Sequence, residues 1–174
     1  MFWRGPVAAL LEVIRGNFFG LLASQATADC SSGRVPFVVC DIADKDTILH
    51  VCYHHFNVTH RYGVSGEVPQ LFLSEPVATV DYHPWDVPAP TSGAITFRDG
   101  EYAYEVASLF VTQPSSDDIS SVTHFGWATI TRNGEIVDKL ECRPEPSRYV
   151  YGGSLYEQMT GMGLEWNGYK RGWS

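Results

Sequence analysis

Residues 95–106 read ITFRDGEYAYEV, and this stretch decides the fold class. Apolar and polar side chains alternate on both sides of the Asp99-Gly100 dipeptide, which favours a two-residue hairpin turn. Pairing outward from that turn sets Arg98 opposite Glu101 and gives one apolar face, made of Ile95, Phe97, Tyr102, Tyr104 and Val106. This pattern predicts an antiparallel sheet with one buried face and one face in water.

A second hairpin is predicted at Asn133-Gly134, another dipeptide that suits the twisted two-residue turn. Pairing outward from it sets Arg132 opposite Glu135. The predicted core face of this hairpin consists of Phe125, Trp127, Ile136, Leu140 and Cys142. Further strand-like runs cover residues 35–42, 47–56, 58–62, 69–73 and 77–82. The chain is therefore expected to be dominated by strands.

Helical signals are found near the two ends of the chain. Apolar residues recur at helical spacing over residues 6–24, and Pro6 suits the first helical position. Residues 154–157 read SLYE, a capping box that predicts a short helix ending near Gly161. We expect an α+β fold, mainly antiparallel β, with the N-terminal helix packed on a β-sandwich or a partly closed barrel and a short C-terminal helix.

Length and composition fit one globular domain. The chain has 174 residues, of which 44% are hydrophobic and 18% are charged. A chain of this size can bury a core of its own. We expect a single domain over residues 1–174, with the β core at 35–142 and the short helix and an aromatic-rich tail at 154–174.

Net charge and hydropathy argue against two classes of partner. The formal net charge is −8, and a phosphate backbone needs a basic surface. No apolar stretch is long and uncharged enough to span a bilayer. The sequence therefore predicts a soluble protein that binds neither nucleic acid nor membrane.

The chain contains four cysteines, none of them in a C-x-x-C motif: Cys30, Cys40, Cys52 and Cys142. They would stay reduced in the cytoplasm and could form disulfides, in any of three pairings, in an oxidising compartment. We expect a protein of the cytoplasm or of a particle assembled there, because Glu12 and Arg15 interrupt the apolar core of any signal peptide. The alternative is a secreted protein cleaved near Ala28.

One histidine-rich strand offers metal ligands. Residues 50–55 read HVCYHH, and alternate residues of a strand share a face, so His50, Cys52 and His54 line up. Imidazole and thiolate together suit zinc or copper. Alternate residues lie about 6.6–7 Å apart, so one straight strand cannot supply a whole tetrahedral site. The remaining ligand would come from Cys40, His60 or His83. The alternative is an ordinary sheet strand with no cofactor.

A second candidate for chemistry lies in residues 81–86, which read DYHPWD. A carboxylate beside an imidazole, as at Asp81 and His83, can orient the ring for acid–base work. The alternative is a turn in which Trp85 covers the edge of the core. The nucleophile elbow, the P-loop and the zinc-protease helix motif are absent from the sequence. An enzyme is therefore the less favoured class.

Aromatic residues are dense in the C-terminal tail, where Trp166, Tyr169 and Trp173 stand among glycines and charges. Such residues either pack back on the domain or form a contact surface. We predict a non-enzymatic protein-binding or assembly protein, of the kind found among bacterial and viral accessory proteins, whose partner is another protein or a second copy of itself. The alternative is a small β-protein that binds a metal or a small ligand through its His/Cys cluster.

Overall fold

The fold was analysed in a computed structural model that describes residues 30, 33–85, 92–113, 121–144 and 155–174. Within these ranges the protein is mainly antiparallel β. The predicted helix at residues 6–24 lies outside the described part of the chain.

The first sheet is a four-stranded antiparallel meander in which neighbours along the chain are also neighbours in space. Its strands are β1 (Val35–Asp41), β2 (Ile48–Tyr53), β3 (Asn57–Gly63) and β4 (Leu71–Pro76). Every residue of β2, an inner strand of this sheet, is buried.

The second sheet has five antiparallel strands in chain order. They are β5 (Asp81–Pro84), β6 (Gly93–Asp99), β7 (Tyr102–Gln113), β8 (Ser121–Arg132) and β9 (Glu135–Glu141). Side chains of both sheets contribute to one hydrophobic core. This sheet carries both hairpins that the sequence predicts.

One seam ties the last strand to the first. Ile42 and Cys142 form an isolated antiparallel bridge, and the Ala43 N–H donates to the Glu141 carbonyl oxygen at 2.8 Å. These contacts join β1 and β9 at one end only. Over the described residues the two sheets therefore do not close into a barrel.

The first predicted hairpin is present, with a shifted register. Asp99 pairs with Tyr102, so the two turn residues are Gly100 and Glu101 rather than Asp99 and Gly100. Gly100 takes a φ of +59°, a conformation that glycine adopts without steric cost. Phe97 therefore pairs with Tyr104 instead of Tyr102, and this shift of two residues preserves the predicted apolar face. Ile95, Phe97 and Val106 are fully buried, and Tyr102 and Tyr104 are half-buried.

The second hairpin turns at Asn133-Gly134 as predicted, but only Leu140 and Cys142 of its predicted core face pack in the core. A β-bulge opposite Ile130 and Thr131 adds one residue to β9, so Leu140 pairs with Ala128 instead of Trp127. A shift of one residue moves side chains to the opposite face of a sheet. Ile136 keeps its predicted partner Thr131, which shares the outer face of β8 with Trp127, and it is 60% exposed.

The outward face of β8 follows from its other neighbour, β7. Val106 pairs with Ala128 on the core side, and Ala107 pairs with Trp127 on the outer side. Trp127 is only half-buried, and Phe125 is 43% exposed. The aromatic side chains of β8 therefore point away from the core.

The chain ends in a short helix and a small ribbon. Helix α1 (Leu155–Gly161) ends at the predicted glycine and buries Leu155 and Met159, one turn apart. The ribbon pairs β10 (Trp166–Asn167) with β11 (Gly172–Trp173). Trp173 stacks on Tyr82 at 6.0 Å between ring centroids, and its indole N–H donates to the Tyr82 carbonyl at 2.8 Å.

This anchor makes a testable contribution to stability. We expect Trp173→Phe to lower the free energy of unfolding by about 1–2 kcal/mol, because the ring contacts remain while the Tyr82 carbonyl loses its donor. Tyr169→Ala is the control, since Tyr169 is 98% exposed and should cost little. Urea unfolding of both variants measures the difference. A larger loss for Tyr169→Ala than for Trp173→Phe would contradict the assignment.

Candidate binding site

The predicted metal ligands are not brought together. Cys52 is bonded to Cys30, so its sulfur is not a thiolate that could bind a metal. His50 lies within β2 and is 8% exposed. His54 lies beyond the end of β2, about 13 Å farther along the chain from His50, and its ring contacts His55. Within the described residues no group of three or more His, Cys, Asp or Glu side chains could hold a metal ion.

All four cysteines form disulfides. Cys30 is joined to Cys52, and Cys40 to Cys142, with 5.6 Å between the Cα atoms in each pair. The second bond crosses the seam between β1 and β9. Of the three pairings open to the sequence, the fold selects this one because it brings these pairs within bonding reach.

Asp81 and His83 do meet. They stand two residues apart on β5, and the Asp81 Oδ1 atom lies 3.6 Å from His83 Nε2. The other oxygen of Asp81 pairs with the Arg98 guanidinium at 2.9 Å. The carboxylate therefore neutralises Arg98 as well as facing the imidazole, and it is not reserved for orienting His83.

His83 forms one wall of an aromatic cleft. The cleft has a volume of about 530 Å³ and lies between the end of β5 and the terminal ribbon. Its lining comprises His83, Pro84, Trp85, Trp166, Gly168 and Arg171. The Trp166 ring meets the His83 ring edge-on at 5.2 Å. None of these lining side chains carries a hydroxyl or a thiol.

A second hollow continues the cleft across the sheet. Trp85 stacks on Trp127 at 5.8 Å, with 27° between the ring planes. Beyond this pair lies a hollow of about 380 Å³, lined among others by Leu109, His124, Phe125 and Glu141. Burial lowers the pKa of His124 below its ordinary value, which favours the uncharged ring near neutral pH.

Small residues explain why the indole rings can lie flat on this sheet. His83, Ala94, Ala107, Trp127 and Glu141 are paired in one row across β5 to β9. The two alanines at the centre of the row have small side chains, which leave room for the neighbouring rings. Both are buried, although they lie on the face opposite the core. We call Trp85, Phe125, Trp127 and Trp166 the aromatic face.

The residues of the predicted tail surface separate into two groups. Trp173 packs on Tyr82 and Tyr156, so it anchors the ribbon. Trp166 lines the cleft, and Tyr169 projects into solvent. Sequence reasoning placed Trp85, Phe125 and Trp127 at or in the core, so three of the four residues of the aromatic face were missed. The alternation of side chains along β7 and β8 indicates which residues of β8 face outward. The bulge in β9 hides this indication, because it changes the pairing that the turn predicts.

No family model, curated protein or solved structure matches the chain at a significant level. The site is therefore argued from its own geometry. Among the described residues no helix is long and apolar enough to cross a membrane.

Proposed function

We propose that this protein is a non-enzymatic binding or assembly protein that captures a basic protein partner on its aromatic face. The observation that carries the proposal is the exposed Trp85–Trp127 stack with a hollow on either side. The two sheets are taken as the layers of a β-sandwich, whose outer surface supplies this face.

The composition of the face is that of an interface centre. Trp, Tyr, Phe and Arg are enriched where proteins bind one another, and buried Trp side chains dominate the binding energy. Trp85 and Phe125 are each 43% exposed, and Arg171 borders the cleft. A partner that covered these rings would remove a contiguous apolar surface from water, which is the main favourable term in association.

The charge of the chain selects the kind of partner. The formal net charge is −8. A charge of this size attracts a basic protein over long range and opposes the approach of a second copy. The strands of the outer face carry charges of both signs, with Asp81, Glu105 and Glu141 against Arg98 and Lys139, so their local net charge is small. The net charge of the whole chain therefore attracts the basic partner, and the aromatic rings separately provide the contacts that hold it.

The two disulfides support the secreted alternative for localisation. Structural disulfides persist in oxidising compartments, whereas cytosolic thiols are kept reduced. We therefore propose that the protein acts outside the cytoplasm, in an oxidising compartment, and that cleavage near Ala28 precedes the first disulfide cysteine, Cys30.

A peptide-display selection tests the proposal without knowledge of the natural partner. Random peptides are selected on the full-length oxidised protein, and their affinities are measured by fluorescence anisotropy. We expect the selected peptides to be rich in Lys and Arg. Trp85→Ala should weaken their binding about 30-fold or more, as for an interface hot spot.

The matched control is Phe72→Ala, which removes an equally exposed ring from the other sheet. Phe72 is 54% exposed, and we expect binding to be unchanged in this variant. Peptides that bind Trp85→Ala as tightly as the wild type would refute the proposal. If sedimentation shows a dimer and Trp85→Ala dissociates it, the partner of the aromatic face is a second copy of the chain and not a basic protein.

A further inference from the structure

A separate cavity lies between the two sheets, on the core side of β8. Its volume is about 220 Å³. Leu71, Ala128, Ile130 and Leu140 supply apolar wall, and Tyr104 adds an aromatic ring. Gln70 and Asp138 line it as well, and both are exposed, so they mark its mouth. The cavity shares no lining residue with the aromatic face.

The polar group of the interior wall is His60. Its side chain is 2% exposed, and neither Nδ1 nor Nε2 has a hydrogen-bond partner. The ring packs against Phe97 at 5.2 Å and Tyr104 at 5.9 Å. Polar atoms buried without partners are costly and rare, so an unpartnered pair needs an explanation.

The protonation state of His60 determines which hydrogen-bond partner the ring is missing. Burial, and secondarily the charge of His50, lowers its pKa to about 4. The neutral ring has one N–H donor and one bare acceptor nitrogen. A neighbouring ring face can receive the N–H weakly, but it has no proton to offer the acceptor. No described protein group donates to this nitrogen, although the hydroxyl-bearing Tyr62 and Tyr104 also line the cavity, so it can accept a hydrogen bond from a ligand.

We propose that this cavity binds a small uncharged aromatic molecule of about the size of phenol, whose O–H or N–H donates to the acceptor nitrogen of His60. Size supports this class, because an apolar cavity of about 150 Å³ accepts benzene, and the one here is somewhat larger. Both nitrogens of His60 are enclosed, so the ring has to turn for one of them to meet the ligand.

Charge narrows the class further. A neutral His60 offers an anion no counter-charge, and the Asp138 carboxylate at the mouth repels one. A cation would have to compete with Lys45, whose ammonium group lies 3.3 Å from Asp138. An uncharged ligand is not repelled by Asp138 and does not compete with Lys45.

The test compares three probes of one size on the full-length oxidised protein: phenol, toluene and benzoate. Binding is followed by calorimetry and by the ¹⁵N shifts of the His60 ring. We expect phenol to bind about tenfold more tightly than toluene, which has no donor. Benzoate should not bind. Phenol binding should move the His60 signal.

Variants separate this site from the aromatic face. His60→Leu should abolish the preference for phenol over toluene while both still bind. Ile130→Phe, which fills the cavity, should abolish binding of both. Trp85→Ala should bind phenol like the wild type, whatever it does to peptide binding. Equal affinity for phenol and toluene in the wild type, no phenol binding at millimolar concentration, or loss of binding in Trp85→Ala would overturn the proposal.

Discussion

Replacing both Cys40 and Cys142 with alanine is expected to lower the free energy of unfolding by about 4–5 kcal/mol. The bond spans 102 residues of sequence, and the entropy that a cross-link removes from the unfolded chain grows with the length of the loop it closes. The bond also holds the seam where β1 meets β9, which has few backbone hydrogen bonds of its own. Guanidinium unfolding under non-reducing conditions measures the loss.

The matched control is the alanine pair at Cys30 and Cys52. That disulfide spans 22 residues, for which the same relation gives about 3 kcal/mol. The order of the two losses is the critical result. Equal losses, or a greater loss for the shorter loop, would show that the seam disulfide does not act through the long loop it closes. Free thiols in the denatured, unreduced wild type would contradict the disulfides themselves.

Acidification from pH 7 to pH 4 is expected to cost the wild type about 3 kcal/mol through His60 alone. Its pKa falls from 6.5 in the unfolded chain to about 4 in the folded protein, because burial disfavours the charged ring. Above pH 6.5 the ring is neutral in both states and stability is unaffected. As the pH falls below 6.5, the unfolded state binds a proton that the folded state does not bind. The free energy of unfolding therefore declines until about pH 4.

His60→Leu isolates this effect from the carboxylates, which titrate over the same range. The variant removes two unpartnered polar atoms, so we expect it to be at least as stable as the wild type at pH 7. The difference in unfolding free energy between the two proteins should then widen by about 3 kcal/mol on going to pH 4. His55→Gln, at an exposed histidine, serves as control. Parallel pH profiles for the wild type and His60→Leu would exclude the buried neutral ring.

The two proposed sites lie back to back on one strand. Trp127 belongs to the aromatic face, while its neighbour Ala128 and Ile130 line the interior cavity. Alternation along β8 makes this possible, because successive side chains point to opposite faces of the sheet. Separate variants on the two faces therefore test the two proposals independently.

Short-range chemistry predicts much of the β framework. Alternation around Gly100, and an Asn133-Gly134 turn whose residues both take positive φ, locate two hairpins within a residue. The apolar face of the first hairpin is also predicted, because the observed pairing differs from the predicted one by two residues and an even shift preserves the face. The helix end at Gly161 follows from the same kind of local preference. These features depend on residues only a few positions apart.

Long-range placement decides the sites. The bulge opposite Ile130 and Thr131 lets Leu140 of β9 face the core while Trp127 of β8 faces outward, and the sequence has no local mark for it because it depends on how β9 fits both β8 and the core. The pairing of Cys40 with Cys142 depends on a seam between residues 102 positions apart. Nothing in the sequence distinguishes His60 from the other histidines. Only the fold places Phe97 and Tyr104 of the other sheet against its ring. Burial, and with it the lowered pKa and the missing hydrogen bonds, arises only when distant strands pack, since desolvation depends on neighbours in space and not on neighbours along the chain.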